Sequence, residues 1–393
     1  MQMFRKFASC RIFSRNLTPV VRTTLRLSSS AANDFPKPAV DVEKLEEDLF
    51  GREVGQAWTE RKNKRYPNRP KRSRSSNSTD NNTKKVELKI DKDTDLAYAD
   101  LHHKDPIIRD AMMLLRSGKK LKKGGLLLLE GRRLIEDALK CNVRMRKLFF
   151  SRPEDLQDLA EQIKMSPTKT ELYRITYKDL TLWSQLTTSP GLMAIFDRPV
   201  VAHSETENIL PISVICDNIR EPSNLGSVIR MCAALPCREV LVMKGCTDPF
   251  EPKCLRGGAG AQFHVPVKYP VAWEELEEIL PKENSVFVAE SNPKKAQMLT
   301  NEFPVDVAEY CLPSQGDEHH MTVIIGGETH GISEEGYGLM KLYANSACLH
   351  IPVSGGVESL NTASALAVIL FELRRKINQR KIVENVENSE DIQ

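Results

Sequence analysis

The sequence predicts an α/β protein whose C-terminal half forms a mostly parallel sheet covered by helices, preceded by a smaller α/β domain. Two patterns carry this expectation. Short apolar runs, ISVICD (Ile212–Asp217), EVLVMK (Glu239–Lys244), SVFVAE (Ser285–Glu290), MTVIIGG (Met321–Gly327) and CLHIPV (Cys348–Val353), alternate with stretches of helical character. Strands that alternate with helices pair in parallel and are covered on both faces. A shorter version of the same rhythm occupies residues 107–196.

Taken in chain order, residues 1–33 carry Arg5, Lys6, Arg11, Arg15, Arg22 and Arg26 among many Ser and Thr, with no acid before Asp34. This is the composition of a mitochondrial transit peptide, and it predicts a mitochondrial (matrix) protein. Arginines interrupt every apolar run, so the core of a secretory signal is missing, and no window approaches the ~20 apolar residues of a membrane span. Residues 34–106 are polar and aperiodic, and Arg61–Lys85 reads as a disordered basic linker that could touch RNA phosphates without sequence preference.

Order is expected from Ile107. Residues 107–196 give an amphipathic helix, a basic loop, a strand at Leu126–Leu129, a second helix, a strand ending at Phe149–Phe150, a further helix and a closing strand near Leu192–Phe196. The basic loop offers Arg116, Lys119, Lys120, Lys122 and Lys123 as candidate phosphate contacts, alongside the ordinary reading of a solvated face. Residues 197–210 form a linker, residues 211–378 hold the large sheet, and residues 379–393 are a tail. The nine cysteines show no CxxC or paired Cys/His spacing, so neither a disulfide framework nor a metal site is expected.

Three polar clusters fall at the ends of predicted strands, where such sheets hold ligands. DNIREPSNLGSVIRMCAAL (Asp217–Leu235) leaves a strand through a polar turn and enters a helix that carries Asn224, Gly226 and Arg230 in its first turns. Ser223 or Asn224 is the expected cap. IIGGETHGIS (Ile324–Ser333) ends a buried strand in Gly326, Gly327 and Gly331, which let backbone approach a ligand closely. Glu328 in that turn would repel a pyrophosphate and suits a cation such as a sulfonium, or a donor group of RNA. HIPVSGGVESLN (His350–Asn361) ends another strand and leads into a helix from about Leu360 to Lys376, with Ser359 or Asn361 as its cap. That helix is apolar nearly all round, which calls for cover by its own sheet or by a second subunit.

These clusters, in this order, resemble the SpoU (TrmH-type) branch of the SPOUT RNA 2′-O-ribose methyltransferases. The first matches the N…R–P–N–G…R element through Asn218, Arg220, Pro222, Asn224, Gly226 and Arg230, with Glu221 between Arg220 and Pro222. The second matches G-x-E…G through Gly326, Glu328 and Gly331. The third matches I-P…S-L-N through Ile351, Pro352, Ser359, Leu360 and Asn361. Cys246–Val267 resembles the family's D-P…P-K…R…G-A…P loop, and residues 107–196 resemble the substrate-binding domain of many members. Two positions depart from the common pattern: Thr329 replaces a frequent Gly, and Gly257 a frequent Ser.

The resemblance implies a trefoil knot in the sheet and S-adenosyl-L-methionine as cofactor, held by Gly326, Gly327, Gly331, Ile351, Pro352, Ser359 and Leu360. It implies Arg230, Asn224, Glu328 and Asn361 as catalytic residues, with Glu328 and Asn361 fixing the loops and the ribose. Arg230 is often assigned as the base in this family. A guanidinium stays protonated, so stabilisation of the developing oxyanion is the better role. With the transit-like N-terminus, the expected reaction is 2′-O-methylation of a guanosine in mitochondrial large-subunit ribosomal RNA, by a homodimer acting on the large-subunit precursor. The alternative is a non-catalytic RNA-binding assembly factor of the same fold, for which the cofactor loops would be eroded.

Overall fold

The computed structural model describes residues 87–390 apart from 103–104, 117–120, 122, 167, 203–208, 301 and 313–318. The expected transit peptide and the basic stretch Arg61–Lys85 lie outside the described residues.

The first domain is a six-stranded mixed sheet. Its strands are β1 (Leu88–Ile90), β2 (Ala97–Asp100), β3 (Leu126–Glu130), β4 (Met145–Phe150), β5 (Glu171–Arg174) and β6 (Leu192–Asp197), in the order β1-β2-β5-β4-β6-β3. Helices α1 (Pro106–Arg116), α2 (Arg132–Lys140) and α3 (Tyr177–Trp183), with shorter helical pieces, cover it. Strands β1 and β2 correct the expectation that 34–106 is linker throughout. They pair antiparallel, and β2 joins β5 in parallel through Ala99 and Tyr173. Only Tyr98, Ala99 and Leu101 supply buried apolar side chains there. So short an alternation among charged residues carries no clear period, and the neighbouring sheet decides the conformation.

The second domain is a seven-stranded sheet of β7 (Leu210–Asp217), β8 (Cys237–Met243), β9 (Val267–Val271), β10 (Asn284–Ala289), β11 (Val305–Asp306), β12 (His320–Gly326) and β13 (Ala347–His350). The order is β11-β13-β10-β12-β7-β8-β9, and every pairing is parallel. Alternation along each strand feeds two cores. Val214, Cys216, Val240, Val242 and Val323 face α4 (Pro222–Ala234) and α8 (Thr362–Glu390). Ile215, Leu241, Val286 and Ile324 face α6 (Pro293–Thr300) and α7 (Glu334–Lys341). Another helix, α5 (Pro252–Gly257), packs beside α4.

Helix α8 begins at Thr362 and runs to Glu390, past the expected end at Lys376 and through most of the segment read as a tail. No Gly or Pro follows Gly356, so nothing stops it, and Gln, Arg, Lys and Glu dominate its outer turns. Its cover is one-sided: Leu366, Ile369, Leu370, Leu373 and Ile377 are buried in the core, whereas Val368 and Phe371 stay 43% and 56% exposed.

The two domains share a core. Phe250, Leu255 and Phe263 of the second pack against Leu127, Leu129 and Ile135 of the first. Arg198, at the start of the connecting segment, pairs with the buried Asp248 at 3.2 Å and lies over the Phe250 ring at 4.8 Å. No helix among the described residues is long and apolar enough to cross a membrane.

Candidate active site

The three polar clusters converge at the carboxyl ends of β7, β12 and β13. Asn361 joins them. Its Nδ2 donates to Asn224 Oδ1 at 3.0 Å and to Glu328 Oε1 at 2.7 Å, and its Oδ1 accepts the Ala363 backbone N–H at 3.0 Å. Asn361 is therefore the N-cap of α8 and at the same time a clamp on two other loops. Thr362 Oγ1 adds a bond to the Gly326 carbonyl at 3.2 Å. The expected caps of α4 are not used: its N-cap is Glu221, with Pro222 beginning the helix, so Asn224 keeps its side chain for Asn361.

The glycines act between chain segments as much as toward a ligand. A Cβ on Gly327 would lie 2.3 Å from the Asn218 carbonyl oxygen, and one on Gly326 would lie 2.5 Å from the Gly331 carbonyl carbon. Gly331 itself has φ +63°, and Asn218 also adopts a left-handed conformation, with φ 53°. A Cβ on Gly226 would meet the Cys254 carbonyl at 2.4 Å, and one on Gly257 would lie 3.0 Å from Ser223 Cα. This close approach of α4 to α5 explains why Gly occupies position 257. Thr329 is exposed, and nothing in the structure explains it.

Asp217, at the end of β7, is 2% exposed. Its carboxylate accepts the Ser333 N–H at 2.7 Å and its carbonyl accepts the Gly327 N–H at 3.0 Å, so one residue holds both ends of the glycine loop. Burial raises its pKa, and the Ser333 N–H opposes that shift.

A pocket opens beside this junction. Gly326, Gly327, Gly331, Ile351, Ser359 and Leu360 line it, together with Ile325, Leu349 and the start of α8. Pro352 does not line it and is exposed. Three carboxylates, Glu290, Glu328 and Glu358, stand on its wall, and neither Lys nor Arg does. Glu290 and its neighbours Ala289 and Ser291, at the end of β10, were not singled out from the sequence; the available signal was an acid directly after a buried strand. Glu290 accepts from the Tyr337 hydroxyl and pairs with Lys295 at 3.3 Å, while Lys295 also donates to the Ile332 carbonyl. Burial and that carboxylate push the Tyr337 hydroxyl pKa well up.

Arg230 is exposed on α4 and lies outside the pocket lining. The structure brings Asn224, Glu328 and Asn361 together but does not bring Arg230 into contact with them. Of the basic loop, Arg116 ends α1, Lys123 is exposed, and Lys119, Lys120 and Lys122 lie outside the described residues.

Comparison with known proteins follows the same two-domain division. The SpoU rRNA Methylase family profile matches residues 211–371, and the profile for RNA 2′-O ribose methyltransferase substrate binding matches residues 128–200. The chain is 34% identical over 316 residues to rRNA methyltransferase 3, mitochondrial, of Xenopus laevis, covering 70% of this chain and 74% of that protein. It is 34% identical over 323 residues to the Homo sapiens protein of the same name, covering 72% and 76%. Among solved structures, the AdoMet-bound rRNA methyltransferase from Sinorhizobium meliloti superimposes with a TM-score of 0.56 at 20% identity, over 71% of this chain and 98% of that one. The SpoU methyltransferase AviRb from Streptomyces viridochromogenes gives 0.54 at 22% identity, over 70% and 98%.

Proposed function

We propose that this chain, which belongs to the SpoU rRNA methylase family, methylates a ribose 2′-hydroxyl of ribosomal RNA in mitochondria with S-adenosylmethionine as methyl donor. The observation that carries the choice of donor is the pocket wall, where Glu328 and Glu358 stand beside apolar side chains and a third carboxylate, Glu290, is paired with Lys295 behind it. Such a wall disfavours phosphate and suits a cationic ligand with an apolar base. The donor, when bound, supplies an electrophilic methyl group on a sulfonium. Ile351 and Leu360 would flank its adenine, the backbone at Gly326, Gly327 and Gly331 would approach it, and Ser359 would hold its polar edge. Pro352 serves by shaping the chain between Ile351 and the pocket loop.

The residues clamped by Asn361 keep the acceptor side in place: Glu328 and Asn224 hold polar atoms at fixed positions where a ribose can be received. Arg230 stabilises negative charge as it develops on the 2′-oxygen and positions the adjacent phosphate, and the proton leaves to phosphate or water. The substrate is a guanosine of large-subunit RNA, met in the large-subunit precursor in the matrix, and the loop at Arg116, Lys119, Lys120, Lys122 and Lys123 adds phosphate contacts. Residues 1–33 are the address and 34–86 the tether. The working form is a homodimer, a reading supported by the apolar side chains Val368 and Phe371 left open on α8.

The test is to map 2′-O-methyl positions in mitochondrial ribosomal RNA after depletion and after re-expression of wild type, Arg230→Ala or Asn361→Ala. The expected result is loss of one guanosine mark in large-subunit RNA, restored by wild type alone. Full restoration by Arg230→Ala would overturn the catalytic assignment in favour of a non-catalytic assembly factor.

A further inference from the structure

Away from the active site, the two domains meet at a second cluster of chemically capable side chains. Asp137 lies in the last turn of α2, and Cys141 caps that helix, its N–H bonded to the Asp137 carbonyl at 3.0 Å. Residues four apart on a helix project from one face. From the other domain, His264 closes on this pair. Its Nε2 lies 3.2 Å from both Asp137 oxygens, Cys141 Sγ lies 3.8 Å from each ring nitrogen, and the three donor atoms fall within 4.8 Å of one another.

The Asp137–His264 spacing is that of two ligands around a single ion, while Cys141 Sγ, equidistant from both ring nitrogens, lies beside the imidazole and would take a ligand position after rotation about its Cα–Cβ bond. With Zn–N and Zn–O bonds of about 2.0–2.1 Å and Zn–S of about 2.3 Å in tetrahedral geometry, an N···O pair lies about 3.3 Å apart and an N···S pair about 3.6 Å apart. The backbone is shaped to allow the approach. Gly260, four residues before His264, has φ +83°, and a Cβ there would come within 2.5 Å of Asp137 Oδ2. Phe263, the residue before the histidine, is 3% exposed in the core shared by the two domains, so His264 is delivered from an anchored segment. Cys141 and His264 also line a groove between the domains with Asn142, Arg144 and Arg198, which leaves water access to a fourth position.

We infer that Asp137, Cys141 and His264 form a site for a divalent transition metal of the zinc type, with three protein ligands and a solvent ligand, that ties the RNA-binding domain to the second domain. A carboxylate, a thiolate and an imidazole together are the donor set such ions select. Binding releases the thiol proton to solvent. Because the ligands come from both domains, the ion stabilises their docking by mass action.

The test uses the full-length chain, stripped with a chelator and titrated with Co²⁺ as spectroscopic probe. The expected result is a thiolate-to-cobalt charge-transfer band in the near ultraviolet that saturates at one ion per chain. It should be abolished by Cys141→Ser and by His264→Ala, and its midpoint should shift at least tenfold in Asp137→Asn. Zn²⁺ should raise the Tm of wild type and leave that of His264→Ala unchanged; His264 is exposed and Cys141 only half-buried, so neither variant opens a cavity in the core. Absence of the band in wild type, or a band unaltered in Cys141→Ser or His264→Ala, would overturn the assignment.

Discussion

Replacing Asn361 by Asp tests whether one side chain caps α8 and clamps two loops together. Aspartate keeps the acceptor for the Ala363 N–H, and a negative charge at a helix N-terminus is worth about 0.3–1 kcal/mol. It also removes the donor that spans 2.7 Å to Glu328 and sets two carboxylates against each other. Two like charges 4 Å apart repel by about 1 kcal/mol in water and about 4 kcal/mol at an effective dielectric of 20. Because Asn361 and Glu328 are both exposed, the lower end applies. The lost donor costs about a further 0.5–1.5 kcal/mol, so with the helix-terminal gain offsetting most of the repulsion the net effect of Asn361→Asp is a loss of about 1 kcal/mol at low salt, its electrostatic part shrinking as salt is added. Asn361→Ala loses the cap instead, also about 1 kcal/mol, with little salt dependence. Adding Glu328→Gln to Asn361→Asp restores a donor–acceptor pair and should recover the loss, a coupling of about 1 kcal/mol in a double-mutant cycle. Urea unfolding midpoints at constant m-value read all five proteins, the single Glu328→Gln variant included. If Asn361→Asp matches wild type at low salt, or Glu328→Gln recovers nothing, the clamp is not as described.

Other outcomes follow from single positions. Gly327→Ala should destabilise the fold by several kcal/mol in urea unfolding, since its Cβ meets backbone on a rigid neighbour, whereas Gly355→Ala, with nothing within 4 Å, should be neutral. Buried His320, bonded to Ser213 at 3.0 Å, has its pKa lowered from 6.5 to about 4 by burial, with Arg238 adding to the effect. The folded state therefore favours the neutral ring. The stability this represents, about 3 kcal/mol, is complete above pH 6.5 and lost as pH falls toward 4, and a His320→Gln variant should show a flatter profile over that window. Arg230→Ala should lower kcat with cofactor affinity nearly unchanged, because the side chain is exposed and lies off the pocket wall. Reversing charge at Lys119, Lys120, Lys122 and Lys123 should raise KM in a salt-dependent way, measured on an RNA substrate.

Five of the seven strands of the large sheet were legible because they are largely buried and read as continuous apolar runs, such as Ile212–Cys216, whereas the edge strands β9 and β11 are partly exposed, carry no such run and were not read. β1 and β2 were not, since the pairing that fixes β2 comes from β5 more than 70 positions downstream, and β1, three exposed residues, pairs only with β2. Asn224, Glu328 and Asn361 could be picked out as polar residues beside strand ends, but their mutual bonds could not, because they link loops far apart in sequence. The glycines were read toward a ligand, whereas Gly326 and Gly327 are equally required by the chain segments that press on them. Asp137, Cys141 and His264 gave no sign at all: two are one helical turn apart, and the third arrives from 123 positions beyond Cys141.

Separation along the chain also sets an order in time. The pair β7 and β8 joins residues such as Val214 and Val240, which leave the ribosome almost together. The active-site junction cannot form then. Its Asn224 waits for Asn361, 137 positions later, and β7 waits for β12 to align Ile212 with Met321. Contacts so distant are the slow ones to close, and vectorial synthesis delays them further. The three polar clusters can thus be joined only once the final helix has been made, and the same helix completes the core above β7 and β12. A chain that stops short of α8 holds every described strand and the residues of all three polar clusters, but lacks the helix whose start fixes them to one another.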